Sequence, residues 1–192
     1  MPLPPDLSQG KDKEMPKNIL LTGRPGSGKT TLLQALAGGL APLCPQGFVT
    51  VEIRKSGDRV GFDLVSFSGE RRILSRINTP GGPRVGKYGV DVGGFEEFLS
   101  LHPLKEASVV LVDEIGKMEC LSPLFREWIL QALASPIPVV ATIARKGTPF
   151  IEGIKTRRDV YLLEITMANR EEVSSVLHRL VRSLTGGSGE AT

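Results

Sequence analysis

Apolar positions in this chain switch repeatedly between short solid runs and helical spacing. Residues 17–22 form a brief apolar run, the pattern of a buried strand, and a glycine-rich segment follows it. Leu32, Leu33, Leu36 and Leu40 then recur at helical spacing, which predicts a helix over 29–40. The segments 48–54 and 59–67 flank Lys55-Ser56-Gly57-Asp58 and predict an antiparallel hairpin. Val109–Val112 is a fully apolar strand. After it, Leu121, Leu124, Phe125, Trp128, Ile129, Ala132 and Leu133 mark a core-facing helix, with Ser122 as N-cap and Pro123 at its first position. Strands over 137–143 and 161–165 come next. Val173, Val176, Leu177, Leu180, Val181 and Leu184 predict a closing amphipathic helix.

Strands alternating with helices argue for an α/β domain with a mostly parallel sheet flanked by helices. No repeat of 20–50 residues is visible, so 17–184 reads as one domain. Residues 1–16 are Pro-rich and without periodicity, and residues 185–192 are linker-like; both read as disordered tails.

The loop between the first strand and first helix carries the chemistry. Gly23-Arg24-Pro25-Gly26-Ser27-Gly28-Lys29-Thr30 fits G-x-x-x-x-G-K-[ST] completely, followed by Thr31. Glycines let the backbone curl so that its N–H groups ring a phosphate, and the helix behind points its positive end at the same anion. Lys29 then reaches the β- and γ-phosphates, and the Thr30 hydroxyl ligates Mg²⁺. The apolar strand at 109–112 ends in Asp113 and Glu114. Ligands gather at the carboxyl ends of parallel strands, so Asp113 is placed to hold Mg²⁺ through a water. Glu114 is placed to orient and deprotonate the water that attacks the γ-phosphate.

Other positions stay open to two readings. Thr50, Glu52 and Arg54 share one face of their strand, which points either into the nucleotide cleft or into solvent. Thr142 either senses the γ-phosphate or is simply a favoured strand residue, the second being preferred. Asn169 and Arg170 either line the base pocket or start a helix, with Asn169 as N-cap and Glu172 completing a capping box; the cap is preferred. Asp91-Val92-Gly93-Gly94 mimics the D-x-x-G of switch GTPases, but no N-K-x-D guanine motif accompanies it. The pair Arg157-Arg158 is read as solvated.

Composition narrows the rest. The net charge of +3 comes from 24 basic and 21 acidic residues, the basic ones scattered in pairs, which is weak support for nucleic-acid binding. Two histidines make a histidine metal site improbable. Cys44 and Cys120 form no CxxC pair and suit a reducing compartment. No apolar run of membrane length and no signal-peptide core are present, which predicts a cytoplasmic protein without a membrane partner. The phosphate-loop motif makes nucleoside triphosphates the expected partners, the scattered charge argues against nucleic acid, and a monomer is expected.

Taken together, these motifs resemble the cancer-related nucleoside-triphosphatase family of small P-loop enzymes and their archaeal and bacterial relatives. The resemblance runs from about Lys17 to Leu184. It rests on 21–31, 47–54, 60–63, 84–88 and 165–170, and most specifically on Val112-Asp113-Glu114-Ile115-Gly116-Lys117-Met118-Glu119. It implies a RecA-like sheet with the hairpin appended, and hydrolysis of several nucleoside triphosphates with loose base choice. It favours Glu114 as the catalytic residue and raises Glu52, Arg54, Lys117 and Asn169 as site candidates. Val51 departs from it, standing where family members have a second acid. Two alternatives remain: a nucleoside or small-molecule kinase, with Arg71, Arg72, Arg76 and Arg84 as its lid, or a nucleotide-dependent nucleic-acid-binding module.

Overall fold

A computed structural model describes residues 17–186. The expected tail 1–16 lies outside the described residues, as do the side chains of Val181 and Leu184; of the expected tail 185–192, Thr185 and Gly186 belong to the last helix and 187–192 lie outside the described residues. The elements run β1 (Asn18–Gly23), α1 (Lys29–Leu40), β2 (Gln46–Lys55), β3 (Asp58–Ser66), β4 (Arg71–Ile77), β5 (Arg84–Val85), β6 (Tyr88–Val90), α2 (Val92–Ser100), β7 (Val110–Ile115), α3 (Pro123–Ala134), β8 (Val139–Ile143), α4 (Pro149–Lys155), β9 (Val160–Ile165) and α5 (Arg170–Gly186).

Among the described residues, nine strands form one sheet in the order β5-β6-β4-β3-β2-β7-β8-β1-β9. β2, β7, β8, β1 and β9 are parallel neighbours. β8 lies between the phosphate-loop strand β1 and the acidic strand β7, the RecA-like arrangement the resemblance implied. Period-2 alternation divides the core in two. Ile19 and Leu21 of β1, with Leu111 of β7, pack under α1 and α5. Leu20, Val110 and Val112 pack on the other face with α2, α3 and α4. Phe48 of β2 anchors that second layer, with the Phe95, Phe98 and Phe125 rings centred 5.5–6.0 Å away. Burial of each such ring contributes about 1.5–3 kcal/mol.

The antiparallel part is larger than the expected hairpin. β2 and β3 are joined by a two-residue turn, Ser56 and Gly57, both with positive φ, the type that matches strand twist. β4, β6 and β5 then continue the sheet antiparallel. The stretch Arg71–Ile77 shows no apolar alternation because part of its pairing is ionic. Arg71 Nε lies 2.7 Å from Asp63 of β3, and Arg76 donates to the same carboxylate. Arg72 pairs with Glu70, and Arg84 donates to the carbonyls of Thr79 and Lys87. These four arginines are therefore fixed within the strands and their turns, and they do not form a lid.

Local caps explain several boundaries. Ser122 Oγ accepts from Phe125 N–H at the start of α3. Asp91 caps α2 by accepting from Gly94 N–H, so the D-x-x-G there is a helix start. Among the described residues, no helix is long and apolar enough to cross a membrane.

Candidate active site

The turn from β1 into α1 gathers the phosphate-loop residues. α1 starts at Lys29 behind Gly28, which is left-handed (φ 90°). No side chain caps this helix, and its first turn carries no acid, so its N–H groups and positive dipole end suit an anion. Lys29 Nζ curls over the loop, donating to the carbonyls of Gly23 and Arg24 at 3.2 and 3.3 Å. Arg24, Pro25 and Gly26 are exposed and Ser27 is buried. Thr31 faces solvent one position after Thr30.

β7 delivers the acids. Its pairing with β8 steps from Val112–Ala141 to Ile115–Ile143, so three residues advance against two and the extra residue forms a bulge at Asp113–Glu114. Successive strand residues ordinarily point to opposite faces. The bulge lets both carboxylates line one cavity of 570 Å³, together with Thr30.

Asp113 is 4% exposed and held from three sides. Thr142 Oγ1 donates to its Oδ1 at 2.5 Å, the Thr30 hydroxyl bonds its carboxylate, and Thr50 Oγ1 donates to its backbone carbonyl. Burial pushes the Asp113 carboxyl above its ordinary range, while those two side-chain bonds and Lys29 pull it down. Burial likewise raises Glu114, opposed by Lys29 and reinforced by Asp113. Glu119, 5% exposed, is raised by burial to about 8. Among the described residues, no cluster of three or more His, Cys, Asp or Glu could hold a metal ion. The oxygen donors that meet here are one threonine and one carboxylate.

The remaining candidates divide. Glu52 and Lys117 line the cavity. Arg54 turns away, paired with Glu52 and donating to Gly57 O at 2.7 Å. Thr142 meets Asp113 instead of the cavity, so its preferred reading as a plain strand residue gives way to one that positions an acid. The Asn169 cap needs correction. Its carbonyl accepts from Val173 N–H, so it stands at the helix start. Its side chain, however, points backwards, accepting from Thr166 N–H at 2.8 Å and donating to Glu164 O at 2.8 Å. Short amide side chains bond readily to nearby backbone, and here the preceding loop wins over the helix N–H groups.

Arg170, exposed, lays its guanidinium over the phosphate loop: a β-carbon at Gly28 would sit 3.1 Å from Arg170 Cζ. Arg157 pairs with Asp159 at 2.7 and 2.9 Å. The support that Thr50 gives Asp113 has no signature in the sequence pattern beyond its place on the cleft face of β2.

The NTPase family model matches residues 18–177. The chain belongs to the NTPase family. It is 44% identical to a nucleoside-triphosphatase, THEP1, of Thermotoga petrophila over 90% of this chain and 95% of that protein. Its fold superposes on the crystal structure of THEP1 from Aquifex aeolicus with a TM-score of 0.77 at 33% identity, covering 85% of this chain and 98% of the other. The solution structure of a human cancer-related nucleoside triphosphatase matches with a TM-score of 0.72 at 38% identity, covering 86% and 97%.

Proposed function

We propose that this NTPase-family protein is a magnesium-dependent hydrolase that converts ATP, GTP and other nucleoside triphosphates to diphosphate and phosphate, with loose base choice. The observation that carries the reading is the bulge in β7, which sets Asp113 and Glu114 side by side at one cavity with Thr30. The names of the relatives support the reaction class.

Each residue then has a physical task. The loop 23–28 and the first turn of α1 bind the phosphate chain through backbone N–H groups. Lys29 leaves its loop carbonyls for the β- and γ-phosphates, exchanging neutral acceptors for charged ones. Thr30 and Asp113 are hard oxygen donors already in hydrogen-bond contact, a set that fits Mg²⁺ with its remaining positions filled by water and phosphate. When bound, the ion supplies charge neutralisation at the phosphate oxygens. Glu114 orients the attacking water and takes its proton. Its carboxyl, raised by burial, is a stronger base than a solvated one. Thr142 and Thr50 hold Asp113 still while this happens.

Loose base choice follows from what surrounds the loop. Asn169 spends its amide on Thr166 and Glu164, the exposed Arg170 guanidinium lies over the loop at Gly28, and a guanidinium stacks on any base. The test is phosphate release from the four ribonucleoside triphosphates, with and without Mg²⁺, in the absence of any acceptor. We expect release with all four, ATP and GTP differing by less than about tenfold, or ~1.4 kcal/mol of transition-state binding. No release in Mg²⁺ overturns the activity. A hundredfold preference overturns the loose base choice.

A further inference from the structure

The cavity beside the acids is far larger than hydrolysis needs. One attacking water takes about 30 Å³, whereas 570 Å³ is the size of a small-molecule pocket. Its floor is Thr30, Asp113 and Glu114. None of residues 23–29, nor Asn169 or Arg170, lines it. A triphosphate in the loop therefore brings its γ-phosphate to this floor while its sugar and base lie elsewhere, and most of the volume remains.

One wall of that volume belongs to the antiparallel strands added to the parallel core. Val51 of β2, Phe62 of β3 and Val85 of β5 form it. The Phe62 ring is braced edge-on by Tyr88 at 5.3 Å and capped by the Arg59 guanidinium 5.6 Å from its centre. Met118 and Ala144 continue the apolar surface from the carboxyl ends of β7 and β8. Two exposed cations, Lys117 and Lys146, also line it, and neither forms an ion pair among the described residues. Of the other acids on the lining, Glu52 is paired with Arg54 and Arg59 and burial raises the Glu119 carboxyl, which leaves an apolar wall, a fixed aromatic ring and two free ammonium groups to meet a flat organic anion.

We propose that this cavity is a phosphoryl-acceptor site for a small ring-bearing organic monophosphate. Its ring packs on Phe62 and Val85, its phosphate meets Lys117 and Lys146, and its hydroxyl stands where water otherwise stands at Glu114. The inference rests on the role of Glu114 given above. In the step, the acceptor oxygen bonds to the γ-phosphorus as the bond from that phosphorus to the β,γ-bridging oxygen breaks. The hydroxyl proton passes to Glu114. The products are the nucleoside diphosphate and an acceptor carrying one more phosphate; hydrolysis is the same displacement with water.

The test uses ATP labelled in its γ-phosphate and, as probes, the ribonucleoside monophosphates in their 3′ and 5′ forms. Transfer to a hydroxyl gives labelled bisphosphates, separable from labelled inorganic phosphate. Val85→Trp fills the cavity without touching its floor, and Lys146→Ala removes an exposed cation. We expect labelled bisphosphate with the wild-type protein and at least a tenfold loss in Val85→Trp, with acceptor-free phosphate release unchanged. Lys146→Ala, which leaves packing intact, is expected to raise the acceptor KM several-fold at similar kcat. Absence of labelled bisphosphate with every probe, labelled diphosphate in its place, or transfer indifferent to both substitutions overturns the proposal. Those results leave hydrolysis standing. Loss of the Glu114 assignment itself shows separately, as a Glu114→Gln variant that still hydrolyses ATP.

Discussion

Thr142 on β8 donates a 2.5 Å hydrogen bond to the carboxylate of Asp113 on β7, and both side chains are buried. Burial raises the Asp113 carboxyl, and this bond works against that rise, favouring the ionised form that a cation needs. Thr142→Val retains the shape and deletes the donor. Asp113 then titrates higher, and its carboxylate loses one of the bonds that fix its orientation. Removing a bond of this kind behind a metal ligand costs about 10- to 100-fold in metal affinity or activity. The expected result is a Mg²⁺ requirement raised by that factor, more severe at low pH. Hydrolysis measured against Mg²⁺ concentration checks it; an unchanged titration means Thr142 only packs.

How much of this was legible beforehand depends on whether the signal is local. α1 begins and ends where its leucine spacing placed it, and Ser122-Pro123 opens α3 as its chemistry demands. Lys29, Thr30, Asp113 and Glu114 were readable because each sits inside one contiguous motif. Thr142 and Thr50 were not, because their role depends on β8 and β2 being the two neighbours of β7, which spacing cannot reveal. Arg71–Ile77 hid a strand because its partners are the Asp63 carboxylate and the edges of β3 and β6. α2 was obscured by Gly93 and Gly94, poor helix formers that its Asp91 cap and the buried Phe95 and Phe98 override. Neither was the bulge at Asp113–Glu114 visible, and it decides that both acids face one cavity.

Lys29→Ala removes the ammonium that otherwise leaves Gly23 and Arg24 for the phosphates. Hydrogen bonds to charged groups are worth about 1.5–3 kcal/mol each, so losing those to two phosphates should weaken triphosphate binding by 10²-fold or more. Titration with a fluorescent triphosphate analogue measures this. Affinity within twofold of wild type means the loop holds its anion through backbone N–H groups alone.

Glu119 supplies a stability test independent of nucleotide. Its carboxyl is buried and titrates near 8 in the folded protein, well above the ordinary 4.5 of an unfolded glutamate. Between those values the unfolded chain binds fewer protons than the folded one, so folding stability falls as pH rises through this window and levels off above it. Glu119→Gln carries no such proton. Its melting temperature relative to wild type should therefore climb from pH 5 to pH 8. A difference that stays constant over that range means Glu119 is ionised in the fold.

Glu114→Gln separates chemistry from binding. The amide keeps the size of the side chain and one acceptor oxygen, so water can still dock, but no proton can be taken from it. Lys29, Thr30 and Asp113 are untouched, so Mg²⁺-triphosphate affinity should stay near normal while hydrolysis falls by about 10²- to 10⁴-fold, the usual worth of a positioned base. The pH profile adds a second signature. Burial raises the Glu114 carboxyl, and a base works only when ionised, so wild-type hydrolysis should rise with pH through that raised range. The residual rate of Glu114→Gln should lack that limb. Asp113→Asn should fail differently: losing charge at the cation site, it should be partly rescued by excess Mg²⁺, which cannot help an amide at 114. Single-turnover hydrolysis of labelled ATP across pH and Mg²⁺ concentration distinguishes the two variants. Wild-type rates in Glu114→Gln would mean that the water is activated by the γ-phosphate itself, and that the acid after Asp113 only shapes the cavity.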